Sequence, residues 1–138
     1  MDQPKLVSEI RVRSCDVDSF GHVNNAVYLM FAEAARNDYM LQRGLVFADF
    51  KRWNAGPVLT AARLEYKAPA VCDDELIITG LMEALGRARF QIVHEFLLKK
   101  DNRLVCRADL EFAFVDLATG RPCRMPEPFA KAFGILPR

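Results

Sequence analysis

A chain of 138 residues, 51% of them hydrophobic, has the length of one domain and enough apolar side chains for a packed core. Its formal net charge of +1 excludes the general basic field that holds nucleic acid phosphates, so any anionic ligand has to be held locally. No uncharged apolar run approaches membrane-spanning length, and MDQPKLVSEI, with Asp2 and Glu9, lacks the basic start and apolar run of a signal peptide. Cys15, Cys72, Cys106 and Cys123 form no Cys-x-x-Cys pair, which predicts reduced thiols in a cytoplasmic protein rather than a zinc ribbon or a disulfide scaffold.

In EIRVR, residues 9–13, Ile10 and Val12 alternate with Arg11 and Arg13, the period of a half-buried strand. The loop DVDSFGHVNNAVY, residues 16–28, interrupts it with two carboxylates, a histidine, a glycine and two asparagines. Over residues 26–42, Val27, Met30, Phe31, Ala34, Ala35 and Leu41 recur at helical spacing, which predicts one long helix. Asn24 or Asn25 suits its N-terminal cap and Gly44, after Arg43, its C-terminal end. A polar and aromatic connection to Pro57 follows, and the rest reads as strands: LTAARLEYK, DELIITGLMEAL, ARFQIVHEFLL and LVCRADLEFAFV, with turns at Gly86, Asp101 with Asn102, and Thr119 with Gly120. The third strand puts Phe90, Ile92, His94, Phe96 and Leu98 on one face. The fourth sets Cys106, Ala108, Leu110, Phe112 and Phe114 against Arg107, Asp109 and Glu111. RPCRMPEPFAKAFG is left as a tail.

The predicted architecture is therefore α+β: a strand, a long helix, then four strands in an antiparallel meander, about five strands curved around the helix. The open outer edge of such a sheet predicts pairing with a second copy.

Each polar residue of the loop has an ordinary structural role open to it. Asp16 and Asp18 suit turns or caps alike, and Asn24 and Asn25 suit caps. His22 is either a base or a hydrogen-bonding residue of its own loop. Tyr28 is either core or a wall of a site. Glu33, a charge on an apolar stretch, is expected as a buried partner for an arginine such as Arg36, the alternative being a site carboxylate. His94 on an apolar face reads as a satisfied core histidine, and the cysteines read as small hydrophobes.

Strand order and motif together resemble a family, the hotdog-fold acyl-CoA thioesterases, and in particular the 4-hydroxybenzoyl-CoA thioesterase-like branch. The resemblance covers nearly the whole chain. Asp18-x-x-Gly21-x-Val23-x-x-x-x-Tyr28 carries it, with LEYKAPAVCDDELIITG as a second stretch. It implies a single hotdog domain over residues 1–138 that hydrolyses an acyl- or aryl-CoA without cofactor or metal. Asp18 would be the catalytic carboxylate, as nucleophile or general base, which leaves Asp16 as a turn residue, and the Asn25 N–H would polarise the thioester carbonyl at the helix N-terminus, with His22 beside them. Gly21 lets the loop bend and a ligand approach. The resemblance places Gly21 and Tyr28, and a partner's Val58, Leu59 and Thr60, against the substrate. It thus implies a homodimer or a dimer of dimers, with no nucleic acid partner and no membrane insertion.

In GRAR, residues 86–89, Arg87 and secondarily Arg89 sit where the branch places basic residues for the phosphates of coenzyme A; Lys67 is a weaker third. Phe47, Phe50 and Trp53 of VFADFKRWNAGPVL are expected in one wall of a pocket for a bulky acyl or aryl group. His22-Val23-Asn24-Asn25 is also similar to the plant acyl-carrier-protein thioesterases. Their catalytic asparagine falls on Phe20 here, however, which favours the aspartate mechanism. Two other functions stay open: a hotdog dehydratase or hydratase using His22 with Glu33, and a non-catalytic acyl-binding module.

Overall fold

Helix α1 spans Val27–Gln42 in the computed structural model, which describes residues 5–136. The reading of the segment around Asp2 lies outside the described residues. Tyr28, Phe31, Ala32, Ala35 and Tyr39 fall on one stripe of α1 and are buried. Of the apolar series that predicted the helix, Phe31 and Ala35 belong to this stripe, whereas Met30, Ala34 and Leu41 are exposed, because the inward face is centred on two tyrosines that the series left out. The turn ahead of the helix is closed by Asn24, whose Oδ1 accepts the Ala26 N–H at 2.9 Å and whose carbonyl accepts the Val27 N–H at 2.9 Å. At the other end Gly44 takes φ +77°, which allows the Leu45 N–H to reach back to the Met40 carbonyl at 2.9 Å.

Five strands form one antiparallel sheet: β1 (Leu6–Arg11), β2 (Ala55–Tyr66), β3 (Glu75–Ala84), β4 (Arg89–Leu98) and β5 (Leu104–Asp116). Their order across the sheet is β1-β3-β4-β5-β2, which corrects the four-strand meander. Only β3, β4 and β5 run as a meander. β2 lies at the far edge against β5, Ala62 opposite Leu110, and residues 67–74 then carry the chain back to the β1 side. There the Asp73 N–H bonds the Val12 carbonyl and the Val12 N–H bonds the Asp74 carbonyl. β1 begins three residues earlier than the periodicity suggested. Its inward positions include Ser8, whose hydroxyl donates to Asp38 of α1 at 2.5 Å.

The inner face of the sheet carries the aromatic core. Phe90 stacks on Phe112 at 5.1 Å, and Tyr39 rests against Gly80 while its hydroxyl donates to the Ile78 carbonyl at 3.0 Å. A Cβ at position 80 would lie 2.8 Å from the Tyr39 ring, so a glycine is needed for that approach.

Two short helices fall in stretches read above as connection and tail. In α2 (Ala48–Trp53), the Asp49 carboxylate accepts the Val46 N–H at 2.8 Å and pairs with Arg52, and Asn54 in the left-handed region ends the helix. β2 consequently starts at Ala55 rather than after Pro57. In α3 (Glu127–Ala132), Phe129 packs on Phe114 at 5.0 Å and on Phe90 at 5.4 Å, burial worth about 2 kcal/mol for a phenylalanine. Among the described residues no helix is long and apolar enough to cross a membrane.

Candidate active site

The loop between β1 and α1 is a closed hairpin turn. The Asp18 N–H bonds the His22 carbonyl at 2.8 Å, the Gly21 N–H bonds the Asp18 carbonyl at 2.9 Å, and Gly21 takes φ +78°. Asp18 Oδ1 accepts the Phe20 N–H at 2.9 Å and the His22 N–H at 3.4 Å. Its Oδ2 accepts no hydrogen bond among the described residues. The carboxylate thus combines the turn role with an oxygen left unengaged. Phe20, at the tip, is 84% exposed.

Asp16 is more than a turn residue. It is buried, and its carboxylate takes the Arg13 N–H at 2.8 Å and both ends of the Arg13 guanidinium at 3.0 Å, which hold it below the usual carboxylate range. This pairing fixes the base of the loop, and the Asn24 N–H bonds the Asp16 carbonyl at 2.9 Å. His22 is exposed; its backbone bridges to Val71.

Asn25 stands where the loop enters α1. Its N–H donates to nothing among the described residues, the condition for an unpaired donor at a helix start. Tyr66, at the end of β2, donates its hydroxyl to the Asn25 carbonyl at 2.9 Å and so fixes that peptide unit. Sequence reasoning missed Tyr66, and nothing in its local pattern pairs it with residue 25. Tyr28 is core: it meets Tyr66 at 5.8 Å and Phe96 at 5.3 Å, and burial pushes its phenol up from the ordinary value.

A cavity of about 980 Å³ opens between α1, α2, α3 and the sheet. Phe50, Phe90, Phe112, Phe129 and Met82 line it, and Gly56, Pro57 and Val58 form its wall at the β2 edge. Phe47 and Phe50 belong to the lining as expected, whereas Trp53 stands behind Phe50 at 5.8 Å. No residue of the 16–28 loop lines this cavity. Leu59 and Thr60 continue the exposed edge beyond Val58. Thr60 sits at the register shift between Leu59 and Ala61 and donates its hydroxyl to the Glu111 carbonyl at 3.2 Å.

Glu33 is not the buried partner of Arg36. It is exposed at the cavity, and Arg36 turns instead onto the Phe112 ring, 4.8 Å from its centroid, and onto His94 Nε2 at 3.3 Å. The Thr79 carbonyl, 3.2 Å from His94 Nδ1, can only accept, so the imidazole carries its proton on Nδ1 and presents a lone pair to Arg36. His94 is the satisfied core histidine expected.

At the β3–β4 turn Arg87 is exposed, and no ion pair engages it among the described residues. Arg89 reaches Glu111 at 3.5 Å, and Lys67 pairs with Glu65 at 3.0 Å. Burial pushes the Cys106 thiol up to about 12, in keeping with a core hydrophobe. Among the described residues no group of three or more His, Cys, Asp or Glu side chains is placed to hold a metal ion.

The sequence model described as the thioesterase-like superfamily matches residues 12–133. The chain belongs to that superfamily. It is 33% identical over 118 residues to the long-chain acyl-CoA thioesterase FadM of Escherichia coli, covering 83% of this chain and 86% of the relative. Against the acyl-CoA thioesterase YbgC of Haemophilus influenzae it is 30% identical over 128 residues, 90% of each chain. In fold it matches Slr0204, a 1,4-dihydroxy-2-naphthoyl-CoA thioesterase from Synechocystis, with a TM-score of 0.89 at 21% identity, covering 96% of this chain and 98% of that one. The α+β hotdog architecture of the superfamily is therefore the architecture of this chain. Its matched residues run from Val12, through the Asp18 loop, α1 and strands β2 to β5, to Phe133 of the C-terminal segment.

Proposed function

We propose that this thioesterase hydrolyses acyl-CoA thioesters with Asp18 as its catalytic carboxylate and the Asn25 N–H as the donor to the carbonyl oxygen. The reaction is the one named for both relatives at 30% identity or above. The observation that carries the assignment is the Asp18 carboxylate, with Oδ1 spent on the turn and Oδ2 unengaged, in the loop that leads into the unpaired N–H of Asn25. Either Oδ2 takes a proton from a water that attacks the thioester carbon, or it attacks that carbon itself and water cleaves the resulting anhydride. In both routes negative charge develops on the carbonyl oxygen, where a helix N-terminus stabilises it, and the coenzyme A thiolate leaves and is protonated.

Substrate placement involves a second copy of the chain. The acyl cavity and the Asp18 loop share no lining residue within one chain, while Pro57 and Val58 of the cavity wall lie on the exposed β2 edge. A dimer through that edge brings one copy's Asp18 loop, with Gly21 and His22, against the other's Val58, Leu59 and Thr60. The phosphates of coenzyme A fall to Arg87, with Arg89 beside it. The four unpaired thiols fit a reducing, cytoplasmic setting. A hydratase built on His22 and Glu33 is disfavoured, since the backbone pins His22 in the turn while Glu33 faces a cavity that the loop does not line.

The test is Asp18→Asn, assayed by thiol release from acyl-CoA. Folding, sedimentation and substrate binding should persist while kcat falls about a hundredfold or more, the scale for losing a positioned base. Near-native kcat in this variant would remove the mechanism. No thiol release from any acyl-CoA by the native protein would leave an acyl-binding module.

A further inference from the structure

Arg36 is a cation without a carboxylate partner, facing a cavity whose floor is aromatic. Its guanidinium stacks on Phe112 and gives one N–H to the neutral His94, and no acidic side chain pairs with it among the described residues. Burial pushes this guanidinium down to about 10, opposed by the charge of Glu33 one turn earlier on α1. The other charged groups lining the cavity are that exposed Glu33 and the exposed Lys51, so the lining carries one net positive charge, and Arg36 alone brings it to the aromatic floor. A guanidinium has five N–H donors and no acceptor. With one donated to His94, the remainder can be satisfied from the cavity only by an acceptor.

We propose that this cavity takes an acyl group with an apolar body and an acceptor oxygen, carboxylate or hydroxyl, at its far end, and that Arg36 is the residue that selects for that oxygen. The apolar body lies among Phe50, Phe90, Phe112 and Phe129, and the terminal oxygen replaces the water Arg36 would otherwise hold. A purely alkyl group of the same length strands the guanidinium N–H groups against hydrocarbon, so discrimination against it comes from a group left unpaired. His94 acts through Arg36, accepting one of its N–H groups and holding the fork towards Phe112. The assignment deepens the thioesterase reading and rests on it for the identity of the occupant as an acyl group.

The experiment compares, at each even chain length from six to twelve carbons, the alkanoyl-CoA, the ω-hydroxyalkanoyl-CoA and the dicarboxylic mono-CoA thioester. The native protein, Arg36→Met and Arg36→Lys are assayed on each. At the length that fits, an oxygen-bearing substrate should exceed its alkyl counterpart in kcat/KM by tenfold or more. The ratio should fall to about one in Arg36→Met and be partly kept in Arg36→Lys. The two oxygen-bearing arms decide between hydroxyl and carboxylate. Native ratios at or below one at every length, or a ratio that Arg36→Met leaves unchanged, overturn the proposal. If Arg36→Met does not fold, an unchanged ratio in Arg36→Lys overturns it equally.

Calorimetry with the corresponding free acids separates this proposal from the catalytic one, because it needs no hydrolysis. An ω-hydroxy or dicarboxylic acid should bind the native protein at least tenfold tighter than the alkyl acid, and lose that margin in Arg36→Met. Equal affinities, or no binding of any acid by the native protein, count against the cavity assignment whatever Asp18 does.

Discussion

His94 ties stability to pH in a way the structure makes calculable. The imidazole is fully buried on β4, and burial first, then the neighbouring Arg36 cation, pushes its pKa from 6.5 down to about 3. A base with a lowered folded pKa stays neutral in the native state while the unfolded chain takes up a proton below pH 6.5. Stability is therefore fully present above that value and is lost as pH falls towards 3, at a slope approaching 1.4 kcal/mol per unit, that is about 2 kcal/mol between pH 7.5 and 5. The lowered carboxylate of Asp16 contributes its own loss only below its unfolded value of 3.8, outside this window. The measurement is urea unfolding followed by circular dichroism at fixed protein concentration, at pH 7.5, 6.5, 5.75 and 5. His94→Gln is the control: its amide can donate to the Thr79 carbonyl and accept from Arg36, but it has no proton to take up. The native protein should lose about 2 kcal/mol more than His94→Gln over the window. Parallel pH profiles for the two proteins would refute the account of His94 as a neutral, buried acceptor for Arg36.

Sedimentation at assay concentrations should give a dimer or a multiple of one, because the proposed function needs the cavity of one copy and the Asp18 loop of another to meet across the β2 edge; a fully active monomer contradicts that arrangement. Arg87→Ala should raise KM for acyl-CoA severalfold with kcat nearly kept, and added salt should weaken substrate binding to the native protein more than to the variant. An unchanged KM returns Arg87 to a solvated turn.

What could be read from the sequence was whatever a period or a cap determines. The alternation of β4 put His94 inward together with Phe90, Ile92 and Phe96, and all four are buried there. The spacing along α1 named the helix and Gly44 its end, but not the buried stripe. Phe31 and Ala35 lie inward while Met30, Ala34 and Leu41 are exposed, because Tyr28 and Tyr39, which an apolar series omits, define the inward face. The two short helices escaped because six residues are too few for a period to declare itself: in α2 only Asp49, pairing with Arg52 and bonding the Val46 N–H, supplies a local signal. The neighbours of β2 were equally hidden. Pairing between residues some fifty positions apart is decided by how the chain crosses the sheet, and Ala62 opposite Leu110 leaves no mark in either strand alone. Glu33 and Arg36, one turn apart, looked like an ion pair. The structure prefers the Phe112 face and the lone pair of His94 because these lie on the buried side of α1, where the arginine's long stem can reach and the glutamate's charge would be unsolvated.

The same distinction between local and distant signals decides how the Asp18 substitution has to be read. One oxygen of that carboxylate closes the turn on the Phe20 and His22 N–H groups, and the other is free. Asparagine keeps an oxygen for the turn and tolerates its backbone, so in Asp18→Asn the loss falls on charge and basicity alone. Alanine removes both at once, and a dead Asp18→Ala variant would not separate a missing base from an unfastened loop. Asp16 cannot serve as a neutral comparison either, because its buried pairing with Arg13 holds the loop's base, and a neutral amide there weakens a fully engaged carboxylate. Its variant should lose stability and, once compared at temperatures where both proteins are folded, retain far more kcat than Asp18→Asn. If Asp18 is the catalytic carboxylate, its loss should cost turnover and not stability while the loss of Asp16 costs stability and not turnover, and that opposition distinguishes a catalytic aspartate from a structural one within the same loop.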